Sequence, residues 1–225
     1  MNKRYILFDL DGTLTDPMVG ITNSVAYALA AFGIQVEDKT ALCAFIGPPL
    51  TDSFREYYGF SQDQALLAIK KYREYFAVKG IFENRVYAGI PQLLAALKAQ
   101  GRLVLLATSK PEVFARQILE HFHLAAYFDT IAGSNLDGTR VIKAEVIAYA
   151  LGELGVANLN QAVMIGDRRH DIIGAKKCGL ESIGVLYGYG SEEELRGAGA
   201  DYLAAGVGQL KELLLEEPDR LFAQG

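Results

Sequence analysis

Two aspartates follow a short apolar run near the start of the chain, in the segment YILFDLDGTLTD (5–16). Asp9 and Asp11 are two residues apart on an extended segment, so their side chains point to the same side and can face one substrate. One carboxylate can then stay ionised and act as a nucleophile, while the other carries a proton as general acid and base. Gly12 follows, where a backbone turn or a close approach to a ligand would require a residue without a side chain.

A second acidic pair, Asp167 and Asp171, lies in GDRRHD (166–171), again after an apolar run. An isolated Asp-Gly pair would more often be a simple turn after a strand. The first segment, however, comes in a chain with a repeated strand-and-helix pattern and a second acidic segment at a later strand end. This combination favours a functional site over a turn.

Short apolar, β-prone runs recur along the chain, each with Asp, Thr or Gly at or next to its end, and with helical patterns between most of them. They are YILFDL (5–10), RLVLLAT (102–108), FDTIAG (128–133), AVMIGD (162–167) and SIGVLYG (182–188). Strands that alternate with amphipathic helices are typical of a parallel sheet. The pattern predicts an α/β fold with a doubly wound, Rossmann-like parallel sheet.

The alternation breaks between residues 10 and 102, where the sequence reads mostly as helix. An inserted helical domain explains so long a segment better than a loop does. We therefore predict an α/β core formed by residues 1–17 and 88–225, and a helical insert formed by residues 18–87. The tail 216–225 is predicted to be loosely held.

Polar residues at the predicted strand ends should meet, because ligands of open parallel sheets bind at the carboxyl ends of the strands. These residues are Asp9, Asp11, Thr108, Ser109, Asp167 and Asp171. Several carboxylates in one pocket repel each other unless a cation neutralises them. Oxygen-only ligands without a Cys or His cluster favour Mg²⁺ over Zn²⁺.

Composition narrows the possible partners of the protein. The 225 residues are 51% hydrophobic with a net charge of −5, and no basic run is longer than two lysines, which argues against nucleic-acid binding. No apolar run is long enough to span a bilayer, so we expect no membrane partner. Cys43 and Cys178 are read as reduced thiols of a cytoplasmic protein. We expect a monomer or a homodimer.

Four motifs together resemble the haloacid dehalogenase-like hydrolases. They are DLDGT (9–13), Thr108 at the end of LVLLAT, Lys143 in GTRVIKAEVI, and GDRRHD (166–171). Within that family, the helical insert resembles a small cap, and GPPL, NRVYAGI, GVLYGYG and AGADYL resemble the phosphoglycolate phosphatase branch. The resemblance implies a phosphatase whose cap closes over a small phosphorylated metabolite.

The resemblance also implies a role for each motif residue. Asp9 would attack phosphorus to form an aspartyl-phosphate, and Asp11 would protonate the leaving oxygen and then activate water. The Asp9 and Asp167 carboxylates and the Asp11 main-chain carbonyl would hold Mg²⁺, supported by Asp171.

The developing phosphoryl charge also needs donors and positive charge. The Thr108 hydroxyl and the backbone amides near Gly12 and Ser109 can donate hydrogen bonds to the phosphoryl oxygens. Lys143 can offset the charge of Asp9 and the phosphate, and Lys110 is the other candidate for that role.

Several substrates and activities fit this pattern. Phosphoglycolate is the first expected substrate, and a nucleoside 5′-monophosphate is the next. A mutase resembling β-phosphoglucomutase would instead pass the phosphoryl group to a sugar hydroxyl, and a non-catalytic binding module would keep only the fold. A complete set of reactive residues argues against the binding module.

Overall fold

The protein contains a six-stranded parallel sheet flanked by helices, as seen in a computed structural model that describes residues 1–215. The predicted loose tail, 216–225, lies outside the described residues. The strand order in the sheet is β5-β4-β1-β6-β7-β8. These strands are β1 (Tyr5–Phe8), β4 (Leu103–Pro111), β5 (Thr130–Ser134), β6 (Ala162–Gly166), β7 (Glu181–Val185) and β8 (Tyr202–Ala204). The predicted α/β fold class is confirmed.

Helices cover both faces of the sheet. They are α4 (Ile90–Ala99), α5 (Glu112–His121), α6 (Lys143–Glu153), α7 (Arg169–Lys177), α8 (Glu192–Ala198) and α9 (Val207–Leu215). Leu7, Leu105 and Met164 on one face pack with Val146 and Ile147 of α6. Alternate strand residues point to the opposite face, where Ile6, Phe8, Val104 and Ile165 are also fully or almost fully buried. A two-sided core fixes the register of the central strands.

The strand bounds differ from the predicted ones at several carboxyl ends. β1 ends at Phe8 instead of residue 10, because Thr13 and Leu14 donate backbone hydrogen bonds to the Leu10 carbonyl (3.3 and 2.9 Å) and close a turn. A proline directly before a helical segment suggests its first turn, but Pro111 is instead extended (φ −53°, ψ 129°) as the last residue of β4, and helix α5 begins after it. Strand β8 was not predicted, since it is only three residues long.

The segment between β1 and α4 is mostly helical. It contains α1 (Met18–Ala30), α2 (Leu50–Tyr58) and α3 (Gln62–Tyr75), with a 3-10 helix (Lys39–Phe45) before α2 and a π-helical turn (Phe76–Gly80) after α3. Helix α3 begins at a capping box, in which the Ser61 hydroxyl accepts from the Gln64 amide at 3.2 Å and the Gln64 side chain accepts from the Ser61 amide at 2.9 Å. α3 packs against both α1 and α2.

The chain divides into two compact units. One comprises Met1–Leu14 and the chain from Val86 onward, and the other comprises Thr15–Arg85. Two very short strands, β2 (Thr15–Asp16) and β3 (Arg85–Val86), pair at the two chain crossings. None of the helices within residues 1–215 is both long and apolar enough to cross a bilayer.

Candidate active site

Asp9 lies at the centre of the sheet edge formed by the carboxyl ends of the strands. It directly follows β1, the strand that pairs with both β4 and β6. Its backbone amide donates to the Ile165 carbonyl of β6 at 2.9 Å, which continues the parallel ladder by one residue. The residue is only 6% exposed. The ladder therefore fixes the backbone from which the Asp9 carboxylate projects.

Three buried carboxylates come together at this edge. One oxygen each of Asp9, Asp167 and Asp171 lie within 4.8 Å of one another. Asp167 follows β6, and Asp171 lies in the first turn of α7, where it accepts a hydrogen bond from the Arg168 amide at 3.0 Å. We call these three residues the carboxylate cluster. These three aspartates therefore meet at the carboxyl ends of the strands, where polar residues were expected to lie close together.

Burial and the charges of neighbouring carboxylates raise the pKa values of Asp167 and Asp171. Burial, reinforced by the charges of Asp171 and Asp9, raises the pKa of Asp167 well above its usual value. Burial also raises the pKa of Asp171 to about 6, although the charge of Lys143 opposes this change. Without a further cation, the folded protein therefore holds ionised carboxylates here at a free-energy cost.

Lys143 is the ammonium group that faces the carboxylate cluster. It is the first residue of α6, and its Nζ lies 2.9 Å from Asp9 Oδ1 and 2.7 Å from Asp171 Oδ1. Nζ also donates to the Ala107 carbonyl of β4 at 3.1 Å. Although burial alone lowers the pKa of Lys143, the charges of Asp171 and Asp9 raise it above the ordinary value. Lys143 is thus a permanently charged group next to Asp9.

Asp11 has a different partner from Asp9. Its Oδ2 lies 2.6 Å from the Nζ of Lys110, and the two side chains are 13% and 5% exposed. Burial raises the pKa of Asp11, while the charge of Lys110 lowers it. The Asp11 carboxylate is not one of the three in the carboxylate cluster. The second aspartate of the motif is therefore held by a lysine of its own.

The turn after Asp11 packs directly against Asp167. Gly12 has φ +80°, and a Cβ at this position would lie 2.1 Å from Asp167 Oδ2. Gly12 thus lies in a turn, as predicted, and its close approach is to a protein carboxylate and not to the ligand that the sequence suggested. Gly188 also packs closely here, because a Cβ at this position would lie 2.4 Å from Asp167 Cβ and from the Gly12 carbonyl oxygen. Larger side chains at either glycine would displace Asp167.

The loop after β7 contacts both the turn that contains Gly12 and the Asp167 carboxylate. The Tyr189 amide donates to Asp167 Oδ2 at 2.7 Å, and the Tyr187 hydroxyl donates to the Thr13 carbonyl at 2.9 Å. The Tyr187 ring also packs edge-on against Tyr87, with centroids 4.9 Å apart. The loop GVLYGYG thus orients Asp167 through a backbone amide, a contact that has no side-chain signature in the sequence.

Thr108 and Ser109 lie near the carboxyl end of β4. Thr108 is 1% exposed, and its hydroxyl accepts from the Lys110 amide at 3.3 Å. Ser109 is half-buried, and the pairing of β4 with β5 shifts register between Ala107 and Pro111. The irregular strand end brings Lys110 to Asp11. The sequence suggested Lys110 only as an alternative to Lys143, whereas both lysines reach an aspartate of the site.

The donor set at the carboxylate cluster fits a hard divalent cation. All three groups are carboxylates, and Mg²⁺ prefers oxygen ligands. Asp167 Oδ1 is buried and accepts no hydrogen bond from residues 1–215. Among the described residues, the three carboxylates outnumber the two cationic groups that act on them, Lys143 and Arg168. The free Asp167 Oδ1 and the excess of negative charge both suit a bound Mg²⁺.

The sequence is similar to proteins of one large family. Residues 6–185 match the sequence model of the haloacid dehalogenase-like hydrolases. A Pseudomonas aeruginosa protein named 5′-nucleotidase is 50% identical over 209 residues, which are 93% of this chain and 94% of that protein. A Mycobacterium tuberculosis protein named tyrosine-protein kinase PtkA is 37% identical over 216 residues, covering 95% of this chain and 73% of that protein.

More distant relatives carry the name that the branch resemblance suggested. A Vibrio parahaemolyticus phosphoglycolate phosphatase is 27% identical over 219 residues, covering 94% of this chain and 96% of that protein. Among solved structures, a predicted phosphatase from Clostridium acetobutylicum superposes with a TM-score of 0.92 at 54% identity. That superposition covers 95% of this chain and 98% of the other.

Proposed function

The chain belongs to the haloacid dehalogenase-like hydrolase family and is a phosphatase, and on this premise we propose that it hydrolyses a small phosphomonoester through an aspartyl-phosphate at Asp9, with Mg²⁺. The observation that carries the proposal is the arrangement of two aspartates from one turn. Asp9 lies beside the Lys143 ammonium and two further carboxylates, and Asp11 lies outside that cluster with its own lysine. Two carboxylates in such different surroundings suit two different roles.

Each step of the reaction has a residue with suitable chemistry. An Asp9 oxygen attacks phosphorus, the bond to the ester oxygen breaks, and Asp11 donates its proton to that leaving oxygen. Asp11 then removes a proton from water, which attacks phosphorus and frees Asp9. Burial raises the pKa of Asp11, which favours the protonated form that the first step needs.

The phosphoryl group spreads negative charge over its oxygens during transfer. Lys143 supplies a buried positive charge 2.9 Å from Asp9 Oδ1. We assign the Thr108 hydroxyl and the backbone amides of Gly12 and Ser109 as further donors to these oxygens. Such preorganised donors act strongly because little water screens them.

Mg²⁺ would be held by the carboxylates of Asp9 and Asp167 and by the Asp11 main-chain carbonyl. Asp171 keeps the supporting role, since its two oxygens contact Lys143 and the Arg168 amide. The bound ion would neutralise the carboxylate cluster and polarise the phosphoryl group. The prediction that residues 18–87 form the cap that selects the substrate stays part of this proposal.

A nucleoside 5′-monophosphate becomes the first substrate to consider, ahead of phosphoglycolate. The relative named 5′-nucleotidase is 50% identical to this chain, whereas the phosphoglycolate phosphatase is 27% identical. Both compounds are small phosphomonoesters, so the same chemistry serves either one.

Phosphate release from a panel of esters tests the proposal. The panel contains nucleoside 5′-monophosphates, phosphoglycolate, sugar phosphates and p-nitrophenyl phosphate, each with Mg²⁺ and with EDTA. We expect Mg²⁺-dependent release with one preferred ester, from wild-type protein but not from Asp9→Asn. No release from any ester, or isomerised sugar phosphate formed only with a bisphosphate activator, would contradict the proposal.

A further inference from the structure

We propose that Lys110 is a positioning residue that holds the Asp11 carboxylate for proton transfer and keeps it apart from the carboxylate cluster; this inference rests on the proposed role of Asp11. The Lys110 Nζ lies 2.6 Å from Asp11 Oδ2. The other oxygen, Asp11 Oδ1, is buried and accepts no hydrogen bond from the described part of the chain. One oxygen is thus fixed by the lysine, and the other has no hydrogen-bond partner among the described residues.

The burial of Lys110 is unusual for a lysine. Lysine side chains are almost never fully buried without a partner, and ordering such a long side chain costs conformational entropy. Here the side chain is 5% exposed. A lysine that only solubilised the surface would not be placed in this way.

The backbone around Lys110 is arranged to deliver the side chain to Asp11. Its amide donates to the Thr108 hydroxyl at 3.3 Å, and the next residue, Pro111, pairs with Ser134 of β5 after the register shift. Helix α5 then begins at Glu112. The residue is therefore fixed between a strand irregularity and a helix start, so its ammonium has a defined position.

The two lysines of the site serve two different carboxylates. Lys143 contacts Asp9 and Asp171, while Lys110 contacts Asp11. Without Lys110, the Asp11 side chain would lose the contact that fixes Oδ2. Asp9, Asp167 and Lys143 would keep their own contacts. The expected defect is therefore in proton transfer to the leaving oxygen, and not in phosphate binding or in the nucleophile.

The leaving group provides a direct test of this inference. A p-nitrophenolate ion leaves readily without a proton, whereas an alkoxide needs one from Asp11. We therefore compare kcat/KM, which covers the steps up to the aspartyl-phosphate, for p-nitrophenyl phosphate and for the preferred alkyl ester of the panel. The variants are Lys110→Met, Lys110→Arg and, as the reference for lost proton transfer, Asp11→Asn.

For Lys110→Met we expect kcat/KM on the alkyl ester to fall about 100-fold, within the range for general acid catalysis, and to fall much less on p-nitrophenyl phosphate. Lys110→Arg, which keeps the positive charge, should restore part of the loss. A matched control is Lys98→Met, which removes another lysine–aspartate ion pair of the same unit, with Asp129 at 2.6 Å. It should leave both values near those of wild type.

The possible failures are distinguishable. If Asp11→Asn loses activity selectively on the alkyl ester but Lys110→Met slows both esters equally, or neither, the role of Lys110 is wrong and the proposed function stands. If Asp11→Asn itself shows no dependence on the leaving group, the proposed role of Asp11 is wrong, and the inference about Lys110 is overturned with it.

Discussion

The two sides of the candidate site differ in their balance of charge. The side that holds Asp9, the proposed nucleophile, contains three carboxylates, of Asp9, Asp167 and Asp171, and the ammonium of Lys143. The side that holds Asp11, the proposed acid and base, pairs this one carboxylate with the one ammonium of Lys110. Asp9 and Asp11 lie in one short turn, but residues distant in sequence place Asp9 among excess negative charge and Asp11 in a balanced ion pair. The excess of negative charge beside Asp9 supports the proposal that a divalent cation binds there.

We expect the largest loss of activity when Asp9, the proposed nucleophile, is replaced. Asp9→Asn keeps the size of the side chain but removes the attacking carboxylate, so kcat on every active ester should fall at least about 10⁴-fold, as for other enzymes that lose a nucleophile. Steady-state phosphate release measures this loss. Asp63→Asn, at an exposed position of α3, is the matched control and should keep wild-type activity. A variant Asp9→Asn with activity near that of wild type would refute the assignment.

The free energies of unfolding of Lys143→Met and Lys110→Met test whether the two sides of the site differ in their balance of charge. In EDTA, Lys143→Met leaves buried carboxylates without their ammonium and should lower the free energy of unfolding by about 3–5 kcal/mol. Lys110→Met leaves only Asp11 unpaired and should cost less, about 1–3 kcal/mol. Urea denaturation of both variants tests the order. Equal losses would show that the two sides do not differ in charge balance.

The pH dependence of stability should differ between wild type and Asp171→Asn. Burial raises the pKa of Asp171 from 3.8 to about 6. The folded state therefore binds this proton more tightly than the unfolded state, so the contribution of Asp171 to stability is full at low pH and is lost as pH rises from about 4 to about 6. In EDTA, the unfolding free energy of wild type relative to Asp171→Asn should fall by about 3 kcal/mol across this window. A difference that does not vary with pH contradicts this expectation.

Mg²⁺ should stabilise the protein in the absence of any substrate. A ligand at 100 times its dissociation constant adds about 2.7 kcal/mol to the free energy of unfolding, which for a chain of this size corresponds to a rise of roughly 5–10 °C in Tm. A thermal melt with Mg²⁺ and with EDTA measures the shift. Asp167→Asn, which removes a proposed ligand, should show a smaller shift than wild type. Equal shifts in the two proteins would exclude Asp167 as a ligand.

Much of the fold was predictable because its strands are buried on both faces. The central strands are continuous apolar runs, such as Tyr5–Phe8 and Ala162–Gly166, and each leads directly into a carboxylate. β8 (Tyr202–Ala204) was missed because a three-residue edge strand with an exposed tyrosine has no recognisable period. The strand ends also differed, since hydrogen bonds of the following turns decide where each strand stops.

The candidate site was predictable as far as parallel strands dictate it. The meeting of Asp9 with Asp167 and Asp171 follows from their places after β1 and β6. The contact of Lys110 with Asp11 depends on the register shift at the end of β4, which no spacing in the sequence reveals. The hydrogen bond from the Tyr189 amide to Asp167 is made by the backbone, so side-chain types could not predict it.

The stereochemical course of hydrolysis at phosphorus tests whether the phosphoryl group is transferred to Asp9 before it reaches water. A thiophosphate ester whose phosphorus is made chiral with sulfur and two oxygen isotopes is hydrolysed by the wild-type protein in water that carries the third isotope, and the configuration of the released thiophosphate is determined. Transfer first to Asp9 and then to water inverts phosphorus twice, so we expect overall retention. Overall inversion would mean that water attacks the ester directly, and it would contradict the role of Asp9 as the nucleophile.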